Sequence, residues 1–163
     1  MAAIDNNEIY SLFLAFGSNL GDKKNNIEAA LEKTEKRIGR ITSISAFYDS
    51  VPDGFESNNN FINSACEVVT SMNVFEVFSI TQDIEKELGR SDKSFNQKYR
   101  DRVIDIDIIM AGNRVIDTAN LIIPHPRFHE RNFVLEPLCE IAPDAIHPVI
   151  GKTVKELRDL LNE

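Results

Sequence analysis

The chain is poor in cysteine, has no long apolar run, and carries no excess of positive charge. Cys66 and Cys139 are the only cysteines among 163 residues, far apart and without a C-x-x-C. That excludes a disulfide framework and suits a reduced, cytoplasmic protein whose thiols are small core residues. No apolar stretch approaches the ~20 residues that cross a bilayer. The opening "MAAIDNNEIY" has neither the basic nor the apolar region of a secretory leader. The formal net charge is −8, which speaks against a general nucleic-acid or anionic-membrane surface but leaves room for a local basic patch. With 42% hydrophobic residues, residues 1–163 are expected to form one globular domain.

The order of elements is legible. "IYSLFLAF" (9–16) is short, continuous and apolar, and predicts a buried strand. Asp22 can cap a helix with Ile27, Leu31, Thr34 and Ile38 at helical spacing, ended by Gly39. "ITSISAFYDS" (41–50) and "FINSACEVVT" (61–70) read as two strands joined by the loop "VPDGFESNNN". Asn73 and Glu76 resemble a capping box before a helix with Val77, Ile80, Thr81, Ile84 and Leu88, stopped by Gly89. A polar stretch from Arg90 to Asp101 leads into "RVIDIDIIM". A short helix near Phe128–Glu140 and an amphipathic one with Val154, Leu157 and Leu161 complete the chain. The order β-α-β-β-α-β predicts an α+β, ferredoxin-like antiparallel sheet with both helices on one face, plus a C-terminal extension. That arrangement hosts many functions, so the sites must decide.

In "RVIDIDIIM" Ile104, Ile106 and Ile108 can face the helices, which turns Asp105 and Asp107 to the open side of the sheet. Their positions lie about 6.6 Å apart along the strand. Two carboxylates held side by side repel unless a cation lies between them. A hard divalent ion such as Mg²⁺, which is usually held by one or two carboxylates plus substrate phosphates, answers that need. Solvated acids on an exposed strand face are the plain alternative. The preceding stretch tilts the balance. Arg90, Lys93, Lys98, Arg100 and Arg102 face only Asp92 and Asp101 there, a local surplus of three positive charges. Cations beside such a pair suit a polyphosphate.

"IPHPRFHERNF" places His125, Arg127, His129 and Arg131 within seven residues. Zinc is disfavoured, because there is no H-E-x-x-H and no evident third ligand. Phosphate donors are the sharper reading and surface polarity at a helix start the plainer one. "GSNLGDKK" is not a P-loop, since Asp22 stands where the second glycine is required; the Gly17–Gly21 turn reads as a close backbone approach. Phe61 and Asn63 share one face of their strand, and a ring with an amide can stack on and hydrogen-bond a flat heterocycle.

In order, "FGSNLGD", "FYDSVPDG", "FINSA", "IEKELGR", "RVIDIDII", "IPHPRFHERNFVLEPLCEIAPD" and "HPVIGKTV" resemble the 6-hydroxymethyl-7,8-dihydropterin pyrophosphokinase family of folate biosynthesis, over roughly residues 10–157. The resemblance implies a ferredoxin-like fold and an intact pyrophosphoryl transfer from ATP to the pterin hydroxymethyl group, with two Mg²⁺ ions and AMP released. By position, Asp105 and Asp107 resemble the metal ligands. Gln82, Glu85, Arg90, Arg102, Ile106, His125 and Arg131 resemble ATP-site residues, with Arg90 and Arg102 catalytic alongside the two acids. Ser50, Val51, Asp53 and Asn63 resemble the pterin pocket, and Phe61 and Phe133 the rings that sandwich the pterin. There are departures. Tyr99 stands for a tryptophan, Val51 where proline is frequent, and Ile122 where a polar residue can help hold ATP. A non-catalytic ferredoxin-like ligand-binding module is the alternative, and an RNA-binding sheet lacks its sequence pattern.

Overall fold

A computed structural model describes residues 8–52, 58–89 and 101–163. Arg90 and Asp53 lie outside the described residues, as does most of the basic stretch.

Strand β1 (Tyr10–Ser18) is followed by α1 (Lys23–Arg37), β2 (Arg40–Ile44), β3 (Tyr48–Ser50), β4 (Phe61–Thr70), α2 (Val74–Glu87) and β5 (Asp105–Ala111). The main sheet runs β2-β4-β1-β5, with β3 also on β4, and its pairings are antiparallel. This is the expected split arrangement. The expected single strand over 41–50 is divided. Ser45 folds its hydroxyl back onto the sheet, accepting the Ala65 N–H at 2.9 Å and contacting Ser64 Oγ at 3.1 Å. A β-branched run shows no such break, because nothing in its periodicity marks one.

Alternation decides which side chains go inward. Leu12, Leu14, Phe16, Ile62, Cys66, Val68, Ile104, Ile106 and Ile108 pack with Ile27, Leu31, Val77 and Ile84 of α1 and α2. Asp22 caps α1 through the Asn25 N–H, and Asn73 caps α2 through the Phe75 N–H. Gly39 follows α1 where β4 passes so close that a Cβ would collide with the Val69 carbonyl oxygen. Only glycine fits that approach.

The second face is not open throughout. Beyond the short pair β6 (Ile116–Asp117) and β7 (Ile122–Ile123), a 3-10 turn at Phe128–Glu130 leads into α3 (Asn132–Ile141), and α4 (Val154–Leu161) follows. Phe128, Val134, Leu135, Leu138, Val154 and Leu157 cover Phe13, Ala15, Ile109 and Met110. The register slips between Phe13 and Leu14, so Ile109 is an extra residue in β5. The bulge turns both Ile109 and Met110 toward this second layer. A capping box between Thr153 and Glu156 starts α4.

Candidate active site

The uncovered end of the second face carries the polar groups singled out from the sequence. Tyr48, Asn63, Gly17 and Asp105 are successive partners across β3, β4, β1 and β5. One step further along, Ala65, Ala15 and Asp107 form a parallel row. Directly opposed residues share a face. Asn63 and Asp105 therefore stand about 9–10 Å apart, two strand spacings, with only Gly17 between them. Gly17 is a close approach in a concrete sense: a Cβ there would lie 3.3 Å from Asn63 Oδ1 and 3.4 Å from the Phe61 ring.

Asn63 is buried, and its amide orientation is fixed. Nδ2 donates to Ser50 Oγ at 2.8 Å and to the Tyr48 carbonyl at 3.3 Å. With both N–H groups used, Oδ1 is the acceptor left toward Gly17. Ser50 accepts through Oγ and so keeps its hydroxyl hydrogen to donate. Val51 is exposed. Phe133 lies in the first turn of α3, with the Arg131 guanidinium 5.5 Å from its ring centroid.

The acids are crowded by design of the strand. Asp105 pairs with Arg102 at 3.2 Å. Glu85 of α2 accepts the Ile106 N–H at 2.8 Å, which fixes the backbone between the two aspartates. Burial, then the Asp105 and Glu85 charges, hold the Asp107 carboxyl above the usual range, against the pull of Arg131 and Arg102. Such a group gains most from an added cation. Among the described residues no cluster of three or more His, Cys, Asp or Glu forms a complete metal shell. Two oxygen donors on one face still fit Mg²⁺, whose other ligands are commonly phosphate oxygens and water.

Beyond β5 lies a cleft of about 240 Å³ lined by Phe78, Ile106, Asp107, Ile108, Leu121, Ile122 and His125, among others. The His125 N–H donates to the Ile109 carbonyl at the bulge at 2.9 Å. His125 Nδ1 accepts the Arg127 N–H at 3.1 Å, so a neutral ring carries its hydrogen on Nε2. Burial, then Arg131 and Arg127, push its pKa down to about 4. Phe128 anchors this segment by stacking on buried His147, ring centroids 5.4 Å apart. Gln82 is exposed on α2 and does not line the cleft; Glu85 reaches the site through the Ile106 N–H.

The sequence profile of the family described as 7,8-dihydro-6-hydroxymethylpterin-pyrophosphokinase matches residues 13–143. This chain belongs to that family. A 2-amino-4-hydroxy-6-hydroxymethyldihydropteridine pyrophosphokinase of Porphyromonas gingivalis is 41% identical over 138 residues, 84% of this chain and 93% of its own length. The Bacillus subtilis protein of the same name is 39% identical over 130 residues, covering 79% of this chain and 76% of its own length. The wild-type Plasmodium falciparum HPPK-DHPS crystal structure superposes with a TM-score of 0.76 at 16% identity, covering 96% of this chain and 45% of that one. At that identity the likeness carries the fold alone. The chain is a pyrophosphokinase of folate biosynthesis, which moves pyrophosphate from ATP to the hydroxymethyl group of 6-hydroxymethyl-7,8-dihydropterin.

A further residue of this pyrophosphokinase, Asn19, belongs to the site without being one of the candidate site residues above. It is buried. Its Nδ2 donates to Asp101 at 2.8 Å and to the Asn59 carbonyl at 3.1 Å, and its Oδ1 accepts the Arg102 N–H at 2.6 Å. It holds Arg102 at the start of the acidic strand. Its only signal was an amide just past the end of β1.

Proposed function

We propose that Asp105 and Asp107 hold magnesium and the ATP phosphates, while Asn63 and Ser50 hold the pterin on the other side of β1. The row Asn63–Gly17–Asp105 carries this reading. An amide and a carboxylate on one face, with no bulky side chain between, support a heterocycle site beside a magnesium–phosphate site.

Asn63 Oδ1 is an acceptor and the Ser50 hydroxyl a donor. Together they complement an N–H beside a carbonyl, the lactam edge of a 4-oxopterin. Phe61 and Phe133 supply aromatic faces for the flat ring. The apolar cleft beside His125, with Phe78, Ile108, Leu121 and Ile122, suits the adenine end of ATP. The phosphates then pass His125, Arg131 and Arg102 on the way to the acids. Ile122 offers no side-chain hydrogen bond there. The neutral His125 Nε2–H donates to a phosphate oxygen, and the two arginines balance negative charge.

The pterin hydroxyl oxygen attacks the β-phosphorus in line. A new C–O–P bond forms, the bond from that phosphorus to the α,β-bridging oxygen breaks, and AMP departs with the bond's electron pair. Two magnesium ions, when bound, supply neutralisation of the phosphate charge and acidify the attacking hydroxyl. Asp107 can take the released proton. Arg102, held by Asn19, and Arg90 stabilise the leaving AMP. Val51 follows Ser50 on the pterin side. Most of the rate comes from positioning and electrostatics.

We read residues 1–163 as one cytoplasmic, monomeric domain that engages neither nucleic acid nor membrane. The net charge of −8 speaks against a general nucleic-acid or anionic-membrane surface, and no described helix is long and apolar enough to cross a bilayer. The test is product analysis with ATP, Mg²⁺ and 6-hydroxymethyl-7,8-dihydropterin. AMP should appear in equal amount to pterin diphosphate, and only when the pterin is present. Release of ADP contradicts the mechanism.

A further inference from the structure

Glu140, near the end of α3, reaches to the junction of β2 and β3. Its Oε1 accepts from Tyr48 Oη at 2.6 Å and from the Ala46 N–H at 3.1 Å, and Oε2 faces that N–H at 3.3 Å. Tyr48 opens β3 and lies directly opposite Asn63. Its carbonyl takes one Asn63 Nδ2 hydrogen, and Ser50, two residues on, takes the other. The direction of the Asn63 acceptor is therefore set by where β3 lies. β3 has three residues and, among the described residues, pairs with β4 alone. The break after β2 removes the support that a continuous strand would give. Glu140 supplies a substitute from the helix that also presents Phe133 in its first turn.

We propose that Tyr48 and Glu140 are a positioning pair for the pterin: their hydrogen bond sets the spacing of β3 and α3, the two walls of the pterin slot, and with it the aim of Asn63 Oδ1. The inference rests on the pterin-binding reading above and extends it to two residues outside the slot. The contact is solvent-exposed and so adds little to global stability; its effect is on geometry. The phenol is pushed up to about 12, first by this hydrogen bond and then by burial, so it stays a donor across the physiological range.

Steady-state kinetics with each substrate varied in turn test the pair, using Tyr48→Phe, Glu140→Ala, Glu140→Gln and the Tyr48→Phe/Glu140→Ala double variant. Tyr48→Phe and Glu140→Ala should each raise the pterin KM about tenfold. The ATP KM and the melting temperature should stay near wild type. Glu140→Gln keeps an acceptor and should restore the pterin KM. The double variant should be no worse than the poorer single one, since both break the same bond. A pterin KM within about twofold of wild type in both single variants overturns the proposal. So does an equal rise in the ATP KM. A wild-type protein that releases no AMP overturns the functional reading, and this inference with it.

Discussion

Asn63 and Asp105 face the same side of the sheet with Gly17 as the one residue between them. Each belongs to a different strand, so their separation is set by backbone hydrogen bonding and not by loop conformation. A hydroxymethyl group carried on a ring held by Asn63 can then meet a phosphate held beside Asp105.

Gly17 should tolerate little. A Cβ would press on Asn63 Oδ1 at 3.3 Å and Phe61 at 3.4 Å, close enough to force both to yield. Gly17→Ala should leave the fold intact and raise the pterin KM, with a smaller effect on the ATP KM. Isothermal titration with the pterin alone would check it; unchanged pterin affinity would contradict the close approach.

Asp107 should trade stability against activity. Its carboxyl is held high by burial and by Asp105 and Glu85, so ionising it costs the folded state. The stability contributed by the protonated form is complete below the unfolded value near 3.9 and is lost as pH rises toward the raised folded value. Asp107→Asn should therefore melt higher than metal-free wild type at neutral pH, by about 2–4 °C for each kcal/mol relieved. The gain should vanish near pH 3. Turnover should be abolished, and added magnesium should stabilise wild type but not the variant. Calorimetry at the two pH values, with and without the ion, reads all three outcomes.

His125 should remain neutral through the working pH range. Its pKa is lowered to about 4, first by burial and then by Arg131 and Arg127. The sign is opposite to that of Asp107. The stability it contributes is present above the unfolded value near 6.5 and is lost as pH falls toward about 4. Long-range nitrogen–proton NMR should show the hydrogen on Nε2 at pH 7 and titration well below pH 6. A normal titration near 6.5 would contradict the buried, arginine-flanked setting.

Asn19 should matter beyond its size. Asn19→Ala removes three side-chain hydrogen bonds at a buried position, among them the one from the Arg102 N–H, and leaves the backbone bond from residue 19 to the Arg102 carbonyl in place. A loss on the order of 1–3 kcal/mol in urea unfolding is expected, from buried groups left unpaired. kcat should fall more than either KM, because Arg102 acts on the leaving group. Unchanged kcat would remove Arg102 positioning from the account.

What was legible in the chain follows from periodicity. The strict alternation of Ile104, Asp105, Ile106, Asp107 and Ile108 fixed both the burial of the isoleucines and the shared face of the acids. The order of elements up to β5 was readable for the same reason. The break at Ser45 was not, because a serine in a β-branched run looks like any other strand residue until its hydroxyl is seen to bond the neighbouring strand. The bulge at Ile109 was hidden too: "IIM" gives no hint that two adjacent side chains turn to one face. Val134, Leu135, Leu138, Val154 and Leu157 did carry the signal that α3 and α4 have an apolar side. Their partner, the upper half of the second sheet face, could be named only from the topology. Asn19 and Glu140 act through contacts 40 to 94 residues distant in sequence, and no local pattern announces those.

The most direct test of the central claim is a crystal structure of the complex with Mg²⁺, a non-hydrolysable ATP analogue and the pterin. The account predicts magnesium on the Asp105 and Asp107 carboxylates, the β-phosphate beside it, and the pterin hydroxymethyl group facing that phosphorus from the Asn63 side of Gly17. Magnesium and the triphosphate bound away from Asp105 and Asp107, or a pterin seated elsewhere than at Asn63, would contradict it.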